Sequence, residues 1–158
     1  MKMVAPLEVG ICCENLESLK RFYVEQLGFD EISHFAIPAE KAGDTGLSRG
    51  GYQVVRLQTP WGERLKLLQA DAPAEPRVAS QWILQRLGNS YLTFIVDDLG
   101  DMLSRLKRLG VPLLSGDDRV EVRPGTWLVF ARDPEGNVIE FVEYADIAAY
   151  RPDLKAGS

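Results

Sequence analysis

Residues 131 to 144 read A-R-D-P-E-G-N-V-I-E-F-V-E-Y, and the rest of the chain is organised around them. Pro134 presets φ for the second position of a turn, and Gly136 accepts the positive φ that other residues resist. Asp133-Pro134-Glu135-Gly136 therefore predicts a hairpin turn with a strand after it. Side chains alternate along a strand, so Val138, Glu140 and Val142 share one face while Ile139, Phe141 and Glu143 share the other. Glu140 is the anomaly, a carboxylate between valines. A carboxylate withdrawn from water is costly unless it is paired, hydrogen-bonded or bound to a metal. Glu140 is thus either on a solvated strand face or part of a site.

Working outward, the chain supplies a second copy of the same unit. Pro60-Trp61-Gly62-Glu63 is a turn of the same kind, followed by a strand at Arg64 to Gln69. Leu7 to Cys13 alternates as a strand, with Val9, Ile11 and Cys13 on one face and Glu8, Gly10 and Cys12 on the other. Asn15 caps a helix carrying Leu16, Leu19, Phe22, Tyr23 and Leu27, and Gly28 stops it. Strands are expected at Glu31 to Pro38 and Tyr52 to Thr59, with a polar, glycine-containing loop from Ala39 to Gly51 of the kind that lies over a pocket mouth. The second half repeats the phrase. Tyr91 to Val96 is a strand, Asp98 caps a helix with Leu99, Met102, Leu103, Leu106 and Leu109, and Gly110 stops it. Two more strands are expected within Pro112 to Val122 and Thr126 to Arg132.

The expected organisation is an α+β fold of two β-α-β-β-β modules, residues 1–69 and 91–145, forming one domain. Residues 70–90 make a linker with a short helix at Ser80 to Leu87, and 146–158 a tail. Superimposing Asn15 on Asp98 sets Glu8 opposite Tyr91, and superimposing Gly62 on Gly136 sets Lys66 opposite Glu140. A fold made of two similar modules generally builds its site between them, so these four positions are expected to share one site.

Composition bounds the function. With 158 residues, 46% hydrophobic and 26% charged, the chain has enough apolar matter for a core. Eighteen Lys and Arg against 23 Asp and Glu give a net charge of −5, and no basic run occurs, which argues against nucleic acid or an anionic membrane as partner. The two cysteines, Cys12 and Cys13, are adjacent and poorly placed to staple a loop. No signal-like run opens the chain, and no stretch approaches the roughly 18 apolar residues of a membrane span. A cytoplasmic protein is expected.

The two modules, the phrase E-V-G-I-C-C-E-N-L-E-S-L-K-R-F-Y-V-E-Q-L-G-F and the closing D-P-E-G-N-V-I-E-F-V together resemble the vicinal oxygen chelate superfamily. That group contains glyoxalase I, extradiol dioxygenases, methylmalonyl-CoA epimerase and the bleomycin- and fosfomycin-resistance proteins. The resemblance covers Leu7 to Tyr144. It implies curled mixed sheets forming a cup, a small-molecule ligand, a homodimer, and a divalent metal (Ni, Zn, Mn or Fe) held by the first and fourth strand of each module. Carried over residue by residue, the metal positions are Glu8, Lys66, Tyr91 and Glu140. Glu8 and Glu140 qualify as ligands. Lys66 does not, because an ammonium has no lone pair, and a protonated Tyr91 phenol is a poor donor. The four-ligand set is not intact.

Two readings follow. In the first, the protein is a glyoxalase-like lyase or isomerase of a small polar carbonyl compound. Lys66 then replaces the metal electrostatically, Glu8 or Glu140 is the base, and Tyr91 or Lys66 stabilises the enolate. In the second, it sequesters a drug or metabolite without turnover, as bleomycin-resistance proteins do. A ring-cleaving dioxygenase is disfavoured, because the resemblance would require two histidines beside a carboxylate. Arg56 is a candidate for gripping an acidic substrate. The single histidine, His34, on a strand of ambiguous register, and Cys12, on the Glu8 face, complete the substrate-binding candidates. Core packing is the default for Trp61, Trp82 and Trp127.

Overall fold

A computed structural model describes residues 1, 3–78, 80–88 and 90–156. Lys2, Ala79 and Asn89, the latter two within the expected linker, and the last two residues of the expected tail lie outside the described residues. The chain divides into two compact units, Met1–Val78 and Ala79–Ser158.

Unit 1 contains the strands β1 (Glu8–Cys12), β2 (Asp30–Ile37), β3 (Tyr52–Gln58) and β4 (Arg64–Ala70), and the helices α1 (Leu16–Arg21) and α2 (Ala39–Asp44). Its sheet runs β1-β4-β3-β2, with β1 parallel to β4 and the other pairs antiparallel. Asn15 caps α1 as expected, its side chain accepting from Ser18 N at 3.0 Å. α1 packs on β4 and β3. Leu16, Leu19, Phe22 and Tyr23 are buried on the side of the sheet that also buries Ile11, Val55, Leu57, Leu65 and Leu67. Each such side chain contributes about 1.5–3 kcal/mol when removed from water, so this layer is the core of the unit.

Four sequence expectations are corrected in unit 1 and its connector. The helix does not run on regularly to Gly28: Phe22–Gln26 is a π-helical turn. Consecutive aromatics Phe22 and Tyr23 both point inward there, edge to face at 5.4 Å, an arrangement helped by the wider turn. The Ala39 to Gly51 loop begins with α2, whose Ala42 is fully buried and whose C-terminal carbonyls are bonded by the Thr45 hydroxyl. The helix expected over Ser80 to Leu87 shrinks to one 3₁₀ turn at Ile83–Gln85, because Trp82 and Arg86 on either side are extended. Trp61 and Trp82 are exposed rather than packed in a core.

Unit 2 contains β5 (Tyr91–Ile95), α3 (Leu99–Arg108), β6 (Val120–Arg123), β7 (Thr126–Arg132) and β8 (Val138–Tyr144), and its sheet order β5-β8-β7-β6 repeats that of unit 1. Asp98 caps α3, accepting from Asp101 N at 2.8 Å. α3 packs on β8 and β7, with Leu99, Leu103 and Leu106 buried against the side that holds Val129, Ala131, Ile139 and Phe141. The strand expected across Pro112 to Val122 is short. Only β6 forms, preceded by an isolated bridge from Leu113 to Ala131, and the Ser115 hydroxyl accepts from Phe130 N at 3.0 Å in place of a ladder. The tail folds back into α4 (Ile147–Tyr150) and a 3₁₀ turn at Pro152–Ala156.

The turns that fix the repeat behave alike. Gly62 and Gly136 sit at φ +96° and +77°, and each donates its amide to the carbonyl three residues earlier, Thr59 at 3.0 Å and Asp133 at 2.9 Å. The buried Asp133 carboxylate accepts from Glu135 N, Asn137 N and Asn137 Nδ2 at 3.0, 2.9 and 2.9 Å. A further correspondence lies at the helix starts, where the first amides have no intrahelical acceptor. Leu16 N donates to Gln69 Oε1 at 3.0 Å, and Leu99 N donates to Glu143 Oε2 at 2.8 Å. Gln69 and Glu143 follow the turn glycines by the same interval.

Among the described residues, no helix is long and apolar enough to cross a membrane.

Candidate functional site

Alternation leaves each sheet one face covered by its helix and one face without it. On the open face of unit 1 the register sets side chains in rows across the strands. Asp30, Gln58, Arg64 and Glu8 form the first, Ser33, Arg56, Lys66 and Gly10 the second, and Phe35, Val54, Leu68 and Cys12 the third. Glu8 lies 3.4 Å from Arg64 Nη1 and 3.8 Å from Lys66 Nζ. Arg64 is braced from the other side, its Nε donating to Gln58 Oε1 at 2.7 Å. These groups are about one-third exposed, so the pairs are worth ~0–1 kcal/mol each and matter for charge placement more than for stability. The Arg56 guanidinium lies 4.9 Å from the centre of the Phe35 ring, a cation–π distance. Ser33 Oγ is buried without a hydrogen-bond partner among the described residues.

The open face of unit 2 has a different chemistry. Tyr91, Val138 and Arg132 form one row, Thr93, Glu140 and Phe130 the next, and Ile95, Val142, Leu128 and Val120 the third. Glu140 is the one carboxylate in these rows. Thr93 Oγ1 donates to Glu140 Oε2 at 2.6 Å, a short charge-assisted bond that fixes the carboxylate. Tyr91 stands edge-on to Phe130 with centroids 5.2 Å apart. Arg132 is turned away, donating to Gly136 O at 2.7 Å. At the far end of the face, burial pushes the Tyr144 phenol up to about 12, its bond with Tyr150 adding to the shift, and the two rings stack at 3.9 Å.

The candidates therefore fall into two groups. Glu8, Lys66, Arg56 and Cys12 share the open face of unit 1, and Tyr91 and Glu140 share that of unit 2. His34 belongs to neither. A bulge between Glu31 and Ser33 shifts the register of β2, so that Ser33 pairs with Arg56 and His34 with Val55 on the helix side. There His34 is near Glu17 of α1. The bonded Lys20 ammonium holds the Glu17 carboxyl below the ordinary range, and His34 adds a smaller pull in the same direction. Without the bulged residue, strict alternation would have set His34 on the open face.

Sequence reasoning missed Ser33, Arg64 and Thr93. Arg64 and Thr93 had a signal, since each lies two residues along the strand from a candidate already chosen, Lys66 and Tyr91, and so shares its face. Ser33 had none, because the bulge hides its register.

The resemblance implies a divalent metal at the four carried-over positions, and the donor chemistry does not fit one. An ion at Glu8 would meet two cations already within 4 Å of that carboxylate, and one carboxylate oxygen of Glu140 is occupied by Thr93. Among the described residues, no group of three or more His, Cys, Asp or Glu gathers where an ion could be held.

A family model described as the Glyoxalase/Bleomycin resistance protein/Dioxygenase superfamily matches residues 5–141, and the chain belongs to that superfamily. Among solved structures, a glyoxalase family protein from Bacillus cereus matches with a TM-score of 0.74 at 25% identity, over 91% of this chain and 96% of that one. The trypanothione-dependent glyoxalase I of Leishmania major matches with a TM-score of 0.65 at 19% identity, over 94% and 92%. A glyoxalase family protein from Enterococcus faecalis gives 0.61 at 23%, over 90% and 98%. The last two likenesses speak for the fold alone. No curated protein matches the sequence. Fold and family together support small-molecule binding or a glyoxalase-like function.

Proposed function

We propose that the protein is a glyoxalase-like lyase or isomerase of a small polar carbonyl compound, with Glu140 as its base. The observation that carries the reading is Glu140 itself, the one carboxylate of its rows, held by Thr93 at 2.6 Å with Val138, Val142, Phe130 and Tyr91 beside it. The Thr93–Glu140 pair lies at the surface of the sheet, so the carboxylate is within reach of a substrate C–H next to a carbonyl. As that proton moves to Glu140, negative charge collects on the carbonyl oxygen, and the Tyr91 phenol is the nearby donor suited to stabilise it. Where the α-carbon carries a hydroxyl the enolate is an enediolate. Passing the hydroxyl proton to the other oxygen while the abstracted proton returns to the former carbonyl carbon then gives isomerisation, whereas loss of a leaving group from the β-carbon gives elimination. Glu8, with Lys66 and Arg64 beside it, is the second candidate base. The reading includes a homodimer in the cytoplasm.

The rival reading is sequestration without turnover, favoured by the apolar and aromatic character of the rows around Glu140. Solvent deuterium exchange into a panel of α-ketoaldehydes and α-hydroxyketones, followed by proton NMR, separates the two. Glu140→Gln should reduce exchange at least 100-fold with the fold intact. Exchange that persists in Glu140→Gln removes Glu140 as base, and binding without exchange in the wild type leaves sequestration.

A further inference from the structure

We infer that the middle row of unit 1 is a subsite for an anionic group, so that the ligand carries a carboxylate or phosphate bound by Ser33, Arg56 and Lys66. This deepens the proposed function and rests on it for the identity of the protein as a small-molecule binder.

Four observations converge. Ser33, Arg56 and Lys66 are direct neighbours across three strands and project from one face. Strands lie about 4.8 Å apart, so the long Arg and Lys side chains close from adjacent strands onto one group. Second, Arg56 has no carboxylate within ion-pair reach and no acceptor for its guanidinium among the described residues, while Phe35 holds it at 4.9 Å. Stacking of that kind fixes the plane and leaves the N–H edge for a two-oxygen anion. Third, Lys66 is only loosely engaged: its contact with Glu8 is 3.8 Å, long against the ~2.8 Å of a charge-assisted hydrogen bond, and Glu8 divides itself between Lys66 and Arg64. Fourth, Ser33 Oγ is a buried hydroxyl without a partner among the described residues. Buried polar groups are rarely left so, and an anion bound beside Arg56 would accept its hydrogen.

The row also borders an apolar one, Phe35, Val54 and Leu68, so the group bound there has an apolar side to its neighbourhood. At the end of the row stands Gly10, with no side chain to cover Lys66, where the equivalent position of unit 2 carries Thr93. The chemistry that fits is a compact organic anion, charged at one end and apolar beside it.

The test is an amide NMR titration of the full chain with benzoate, phenyl phosphate and, as the neutral comparison, benzyl alcohol. Saturable shifts are expected on β2, β3 and β4 with one or both anions, tighter than any shift from benzyl alcohol. The stronger anion identifies the group. Affinity should fall at least tenfold in Arg56→Gln and in Lys66→Met, fall less in Arg56→Lys, and stay within twofold in Lys41→Gln, a charge change on exposed α2. The same spectra report whether each variant is folded. Unsaturable shifts, equal response to benzyl alcohol, or unchanged affinity in Arg56→Gln would overturn the inference. Anion binding without deuterium exchange sinks the lyase reading and leaves the subsite, whereas exchange without anion preference sinks the subsite alone.

Discussion

Replacing Asp133 with alanine tests whether the turn that sets the register of β7 and β8 also sets the position of Glu140. The carboxylate is 4% exposed and accepts from two backbone amides and the Asn137 side chain, at 3.0, 2.9 and 2.9 Å. A hydrogen bond to a charged group is worth about 1.5–3 kcal/mol, but amides in a surface turn recover water when the acceptor goes. Taking about 1 kcal/mol for each of three donors predicts a loss of about 3 kcal/mol in Asp133→Ala. Asp133→Asn keeps one carbonyl oxygen for the two backbone amides and gives up an acceptor facing Asn137 Nδ2, so about 1–1.5 kcal/mol is expected. The two backbone bonds of the turn, Asp133 N to Asn137 O at 3.0 Å and Gly136 N to Asp133 O at 2.9 Å, remain in both variants. Urea unfolding should place the midpoint of Asp133→Ala about 1.5 M below wild type, for a slope near 2 kcal/mol per M. Amide exchange across Val138–Tyr144 reads unit 2 separately from unit 1. The reasoning fails if Asp133→Ala costs under about 1 kcal/mol, or no more than Asp133→Asn. Pro134 and Gly136 would then hold the turn on their own.

Two further outcomes are expected. Tyr144, raised to about 12 by burial, has a folded pKa above its unfolded value of about 10. Its contribution to stability is therefore fully present below pH ~10 and is lost as pH rises through about 12. Tyrosinate absorbance should show a late-titrating phenol that Tyr144→Phe removes; a Tyr144→Phe curve superimposable on wild type would refute this. Lys66→Glu exchanges the ammonium beside Glu8 for a second carboxylate, so calorimetric titration with Ni²⁺ or Mn²⁺ should show at least a tenfold gain in affinity over wild type. An unchanged isotherm would mean that Arg64 alone suffices to keep a divalent ion from Glu8.

Local chemistry made much of the fold legible. Asn15 and Asp98 announce their helices through side chains that can reach an orphan amide, and Gly62 and Gly136 announce their turns because few other residues tolerate those φ values. Period-two alternation then separated Glu8, Lys66 and Glu140 from the core without any knowledge of pairing. Cross-strand neighbours were not legible. Which residue stands beside Arg56 depends on a bulge near Ile32, and nothing in D-E-I-S-H-F-A-I marks it. For that single reason Ser33 was overlooked and the face of His34 was left ambiguous. The same limit explains the short β6: the side chain of Ser115 satisfies Phe130 N, a tertiary choice invisible to local pattern.

The paired helix-start contacts of Gln69 and Glu143 have a consequence for how such a chain can change. An amide in one unit and a carboxylate in the other do the same job on the covered side, while the matched residues Lys66 and Glu140 on the open side carry opposite charge. Each strand is therefore two interleaved texts, and one can be rewritten while the other is left standing. Foldability and ligand preference can drift on separate clocks, and a repainted open face would inherit a working scaffold.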